Sequence, residues 1–324
     1  MTAWLVRRVV AAVAIVFAVV TLTFVLIHLA PGTPFLPAAE RPFDPAVAES
    51  LTVRFGLDRP LPVQYARYLS AVAAGNLGVS FSQRRPVAEA LADAIPNTLI
   101  LAATALAVDF ALGLALGLFL AARARRLADA ALGNLTLFLH SVPTFWLGLL
   151  LLLVFGQWLR WFPVGGVTDP VLYPALSWLG KLGDRLWHLA LPALTLGLVG
   201  AAGTARFQRA AMLEVIGQDF VRTARAKGVG EARVLLVHAL RNALLPVITL
   251  VGLAFPFLLT GAVLIETIFA WPGMGRLAAE AIFRRDYPVV TAAALVASTM
   301  VVTGSLVADV LYAVADPRIR VRQP

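Results

Sequence analysis

Three carboxylates and four histidines are the groups in this chain that could do chemistry inside a membrane-like environment. Asp109 and Asp309 are set inside long apolar runs, Glu266 stands at the end of another, and His28, His140, His188 and His238 are spread over separate segments. Two carboxylates sharing a proton could support aspartyl-protease chemistry. Asp109 lies about midway along its run and Asp309 near one end of its own, and that difference in depth is too large for a dyad. An ionised carboxylate at the centre of a membrane span costs about 2.5–3.5 kcal/mol by insertion scales, so Asp109 is expected to face protein or water. Either it lines a polar path, or it is a structural or protonated carboxylate hydrogen-bonded to neighbouring helices. Glu266, beside Trp271-Pro272-Gly273, either gates an outer mouth or anchors the loop. The histidines have no HExxH or comparable spacing, so no metal site is expected. A phosphate-binding loop needs G-x-x-x-x-G-K-[ST]. The two lysines, Lys181 and Lys227, are followed by Leu182 and Gly228, so this chain is expected to be no ATPase and no enzyme.

The elements that must hold these residues are apolar helices. Of the 324 residues 60% are hydrophobic and 14% charged, a balance that excludes an ordinary soluble domain. A spanning helix needs roughly 20 apolar residues. Six segments qualify, at about 9–30, 98–121, 135–157, 187–205, 243–265 and 288–314, which predicts an all-α integral membrane protein. The fourth is the weakest, being short and holding Pro192, Gly197, Gly200 and Gly203. The first follows Arg7 and Arg8 but is too long for a signal-peptide core, so it is expected to be retained. Gly113 and Gly117 form a GxxxG pair that could be a helix contact. Pro143, Pro192, Pro246 and Pro256 are expected to kink their spans.

Charge sets the orientation. With the N-terminus inside, the inner segments hold fifteen Lys or Arg against five acids, while the outer ones are nearly neutral. The positive-inside rule therefore puts both termini in the cytoplasm, and the net charge of +9 is explained without a nucleic-acid partner. The chain divides into the first span with its N-terminus (1–30), an extracytoplasmic insert (31–97), a five-span core (98–314) and a cytoplasmic tail (315–324). An inner loop at 206–242 belongs to the core and exceeds ordinary loop length.

That loop carries a punctuated sequence. Asp219 is suited to an N-cap, Phe220 to Lys227 make about two helical turns, and Gly228 stands where a left-handed cap is wanted. Phe220 and Ala224 are expected on one face, with Arg222, Arg225 and Ala226 around it. So short a helix is marginal alone and must pack on something. A groove in a cytoplasmic partner would suit it; a solvated basic loop is the plainer reading. A second helix is expected from Glu231 through Arg241-Asn242 to Pro246.

At these residues the chain resembles a known family. The stretch from Gln218 to Gly228, followed by His238-Ala239-Leu240-Arg241-Asn242 and Leu245-Pro246, is similar to the signature loop of permease subunits of ABC importers, in its dipeptide, oligopeptide and nickel version. Similarity continues through Pro31-Gly32-Thr33-Pro34, Gly56-Leu57-Asp58-Arg59-Pro60, Gly75-Asn76-Leu77-Gly78, Ser141-Val142-Pro143-Thr144-Phe145-Trp146, Leu191-Pro192-Ala193-Leu194, Trp271-Pro272-Gly273-Met274-Gly275, Arg285-Asp286-Tyr287-Pro288 and Asp316-Pro317-Arg318. Glu266 and Asp309 also fall on family positions, with Asp309, nearer the inner end, read as a path or gate candidate or as a structural acid with an inner-rim arginine. The external insert resembles the first of the paired permeases. The resemblance implies a type I ABC-importer permease core in the cell inner membrane. Asp219, Phe220, Arg222, Thr223, Ala224, Arg225, Ala226, Lys227 and Gly228 would form a coupling helix seated in an ATPase cleft. It further implies a second permease subunit in a heterodimer, two ATPase subunits that hold ATP and magnesium, and an extracytoplasmic substrate-binding protein. The implied cargo is di- or oligopeptide, with nickel chelate, glutathione or oligosaccharide as alternatives in the family. An ion-coupled secondary transporter is the alternative of another class.

Overall fold

The computed structural model describes residues 2–29, 56, 58–244, 247 and 262–315. Most of the predicted fifth span, Pro31 to Pro34, Pro246, Pro256 and Asp316-Pro317-Arg318 lie outside the described residues, as does the Asp309 side chain. The described helices are α1 (Thr2–Leu29), α2 (Leu61–Ala73), α3 (Val87–Ala122), α4 (Leu127–Ser141) and α5 (Thr144–Leu151), the last continuing as a π-helix over Leu152–Trp158. After these come α6 (Trp178–Ile216), α7 (Asp219–Ala226), α8 (Glu231–Arg233), a π-helical stretch Val234–Ala239, α9 (Leu240–Ala243), α10 (Val263–Ile268), α11 (Met274–Phe283) and α12 (Tyr287–Ala315). Among the described residues four helices are long and apolar enough to cross a membrane, or five if the α4–α5 pair counts as one broken span.

Two of the predicted spans need correction. The third, expected at 135–157, is a pair of helices bent by 104°. Pro143 is the N-cap of α5 and Val142 the extended C-cap of α4, because a residue before proline is pushed out of helical geometry. The fourth is no short span. α6 runs 39 residues, about 58 Å at 1.5 Å per residue, with Pro192 inside it. Ser177 starts it by accepting from the Gly180 N–H.

The chain divides into two compact units, Met1–Thr98 with Pro272–Thr303 and Leu99–Trp271 with Gly304–Pro324. In the first, Val87, Leu91 and Ala94 of α3 pack with Met274 and Ala281 of α11 and Val289, Ala292 and Ala293 of α12. α1 is tied to α2 by a Thr21–Tyr65 hydroxyl bond of 2.6 Å and a His28–Gln64 contact of 3.2 Å. Asn97 donates to the Pro272 carbonyl and the Met274 N–H donates to Thr98, which fixes the turn before α11.

In the second unit, α3 and α6 press together through glycine. A Cβ on Gly197 would meet Val108 at 2.5 Å, one on Gly113 would meet Thr204 at 2.6 Å, and one on Gly117 would meet Gln208 at 2.6 Å. Residue numbers rise together along both helices, so α3 and α6 run parallel here. α4 runs antiparallel to α6, with Asp129 opposite Arg209 and His140 opposite Gly203. The chain therefore reverses between α3 and α6 as a single return crossing would require.

Candidate functional site

The loop that ends α6 builds a short projecting helix, α7, in the second unit. Gln218, with extended backbone, is its N-cap and makes no side-chain cap bond; Asp219 is the first helical residue rather than the cap. Its charge still suits the helix N-terminus. The C-terminal end follows the sequence expectation closely. Gly228 takes φ +76°, the Val229 N–H donates to the Ala224 carbonyl, and the Gly228 N–H donates to the Arg225 carbonyl. That is the paired bonding of a glycine-terminated helix, and Gly228 is there because a left-handed turn is strained for any residue with a side chain.

Which face packs differs from the sequence expectation. Val221 and Ala224 are the buried pair, joined with Met212 and Val215 of α6, Ala121 of α3, and Val234, Ala239 and Ala243 beyond. Ala224 therefore faces the chain's own core, whereas the Phe220 ring is 41% exposed. Val221, three before Ala224, and Phe220, four before it, are both its neighbours on the helix surface, so spacing does not choose between them; the apolar cluster of α6 and the π-helical stretch closes over Val221. Arg225 grips Glu231 through two bonds of 2.7 and 3.0 Å, bracing α7 against the start of α8. The paired guanidinium holds Glu231 below the ordinary carboxylate range and raises Arg225. The outward surface is left to Asp219, Phe220, Arg222, Thr223, Ala226, Lys227 and Gly228. A rooted helix with an exposed ring among charges is a knob that a complementary groove can take.

Of the acids chosen from sequence, Asp109 and Glu266 are described and have separate surroundings. Asp109 is buried on α3 against Gly200 and accepts a 2.7 Å bond from the Thr204 hydroxyl of α6. Glu266 is fully buried at the end of α10, where its carbonyl accepts from the Trp271 N–H at 2.7 Å and closes the turn through Phe269 and Ala270.

Sequence reasoning missed three polar features. Asp286, fully buried in the first unit, accepts from the Ser80 and Ser82 hydroxyls at 2.6 and 2.7 Å and from the Phe81 and Ser82 N–H groups at 3.1 and 2.9 Å. Its own motif was visible, but its donors lie some two hundred residues earlier. Asp129 takes two 2.8 Å bonds from Arg209 and one from the Arg125 N–H. Gln208 is fully buried against Gly117, with neither amide atom bonded to a described residue. Beside the Asp129–Arg209 pair a groove of about 730 Å³ opens between α4 and α6, lined in part by Asn134, His140, Arg206 and Phe207.

Residues 113–321 match the family model described as "Binding-protein-dependent transport system inner membrane component", and residues 1–102 match the model of the N-terminal part of such membrane components. The chain is 42% identical to the di/tripeptide transport system permease protein DppB of Pseudomonas aeruginosa, with 99% of each chain covered. It is 38% identical to the oligopeptide transport system permease protein AppB of Bacillus subtilis, over 98% of this chain and 99% of that one. The dipeptide transport system permease protein DppB of Escherichia coli is 40% identical, over 92% and 93%.

Proposed function

This chain belongs to the family of inner-membrane components of binding-protein-dependent transport systems, and from that premise we propose that it is the permease subunit of a peptide importer. It is a multi-pass inner-membrane protein. The observation that carries the cargo reading is likeness to peptide-system permeases at about 40% identity along nearly the whole chain.

The working complex pairs this chain with a second permease, two separate ATPases that bind ATP and magnesium, and an extracytoplasmic binding protein that delivers peptide. α7 is the coupling helix. Its outer residues, Phe220 above all, seat in the ATPase, while Val221 and Ala224 root it on the inner ends of α6 and α3. A push on so short a helix is carried into both because its root is a packed core and not a flexible linker. Closure of the ATPases then swings the permeases between inward- and outward-facing states. Asp109 serves this as a structural carboxylate held by Thr204, and Glu266 as an anchor of the turn that follows α10.

The test is uptake by the reconstituted complex of this chain with the permease, ATPases and binding protein encoded beside it. Accumulation of tri-alanine that needs both ATP and binding protein is expected. Accumulation driven by an ion gradient without nucleotide would make the chain a secondary transporter instead.

A further inference from the structure

The groove between α4 and α6 has the character of a binding surface. Ala130, Gly133, Asn134, Leu137 and His140 recur at helical spacing along one face of α4, and the small residues among them leave the space open; a Cβ on Gly133 would meet nothing within 4 Å. At about 730 Å³ the groove lies within the roughly 300–1,000 Å³ range of small-ligand sites. Asn134, His140 and Arg206 are exposed in it. Both helices carry apolar residues elsewhere, and α4 turns Leu135 and Phe138 outward on another side. Arg206 falls just past the predicted fourth span, in the segment read as inner, and a charged group at that end of a helix belongs on water.

The charges say what the groove takes. Arg209 is spent on Asp129, whose two oxygens are filled by Arg209 and the Arg125 N–H. Arg206, one turn before it on α6, makes no hydrogen bond or ion pair with any described residue. The Asn134 amide and the His140 ring add donors along the same wall, and Phe207 adds an apolar flank. A guanidinium matches a carboxylate in geometry and charge.

We propose that this groove is a water-filled wall of the translocation path, in which Arg206, with Asn134 and His140, receives the terminal carboxylate of the passing peptide. The cargo part rests on the peptide-importer reading; the anion-binding part does not. Asp109, shut between α3 and α6, is no part of that wall.

The chain has no cysteine, so one thiol can report on the groove. Asn134→Cys, in the assembled complex in membrane vesicles, is treated with an anionic sulfonate and a cationic trimethylammonium methanethiosulfonate reagent in each nucleotide state. The expected result is reaction in at least one state, with the anionic reagent favoured at least fivefold relative to a free thiol. Adding Arg206→Gln removes the preference and adding Arg206→Lys keeps it. A thiol silent in every state means that protein or lipid covers this face, and a preference indifferent to Arg206 means another charge sets it; either overturns the proposal. In the second arm, R206Q complexes that co-purify with normal ATPase content are compared for uptake of tri-alanine and tri-alanine amide. A tenfold or greater loss for the acid relative to the amide is expected, and equal losses would refute the carboxylate role. A wild-type complex that carries neither peptide strikes the cargo reading alone, since the thiol arm decides the anion site without cargo.

Discussion

α6 has two flanks that use glycine to opposite ends. Toward α3, Gly113, Gly117, Gly197 and Gly200 let the helices touch, so that Thr204 and Gln208 sit where a side chain on α3 would otherwise stand. Toward α4, Gly133 leaves a space and the groove stays open. The closed flank hides its polar groups, with Asp109 bonded to Thr204, whereas the open flank exposes Asn134, His140 and Arg206. The lesson is that small residues on a helix can serve either to let backbones touch or to leave room, and what faces them across the gap decides which.

The largest effect that would break this contrast comes from filling the two flanks in turn. Gly117→Leu drives a side chain into the Gln208 stem and the Ala205 carbonyl, the latter 2.7 Å from the built Cβ. Overpacking of this kind costs about 1–3 kcal/mol or more, and a severalfold drop in folded yield by fluorescence-detected gel filtration is expected. Gly133→Ala meets no neighbour, and at a helical site it should be neutral or raise thermal stability by up to about 1 kcal/mol. Equal losses from the two would mean that the flanks do not differ.

The same division into hidden and offered residues recurs at α7. Val221→Asp puts an uncompensated carboxylate into a closed apolar cluster, worth several kcal/mol locally, and proteolysis of the loop should rise at least tenfold. Phe220→Ser should leave that proteolysis unchanged, since its ring is exposed.

On the closed flank, Asp109→Asn keeps an acceptor for the Thr204 hydroxyl, so less than about 1 kcal/mol should be lost, with uptake within twofold of wild type. A tenfold fall in uptake at normal yield would return Asp109 to the path. The smallest effect belongs to Glu231. Its pKa lies below the ordinary value because Arg225 binds the charged form, so the stabilisation is complete above the unfolded value of 4.5 and is lost as pH falls through the folded one. Both side chains are more than a third exposed, so Glu231→Gln should cost no more than about 0.5 kcal/mol at pH 7 and nothing once the acid is protonated. Hydrogen exchange across residues 219–231 at the two pH values would measure it.

The sequence made α7 legible because a charged first turn and a terminal glycine are local signals, and Gly228 needs no distant residue to take its left-handed turn. The buried side of α7 was harder: choosing Val221 over Phe220 requires knowing where α6 and the π-helical stretch lie. α6 looked short because its glycines, Pro192 and its polar ends lower local hydropathy while leaving the backbone helical. Pro143 announced a break in the third span, yet the 104° angle depends on what packs on either side. Asp286 was invisible as a site because its donors come from residues 80–82, and Asp129 because Arg209, its charged partner, lies eighty residues further on.

The most direct measurement uses single cysteines on the two sides of α7. Thr223→Cys and Val221→Cys, in membranes that carry the whole importer, are treated with a short bifunctional thiol-to-amine reagent. Capture of an ATP-hydrolysing subunit from Thr223→Cys, with none from the buried Val221→Cys, is the expected outcome. No capture from Thr223→Cys in a complex that still transports would contradict docking through α7.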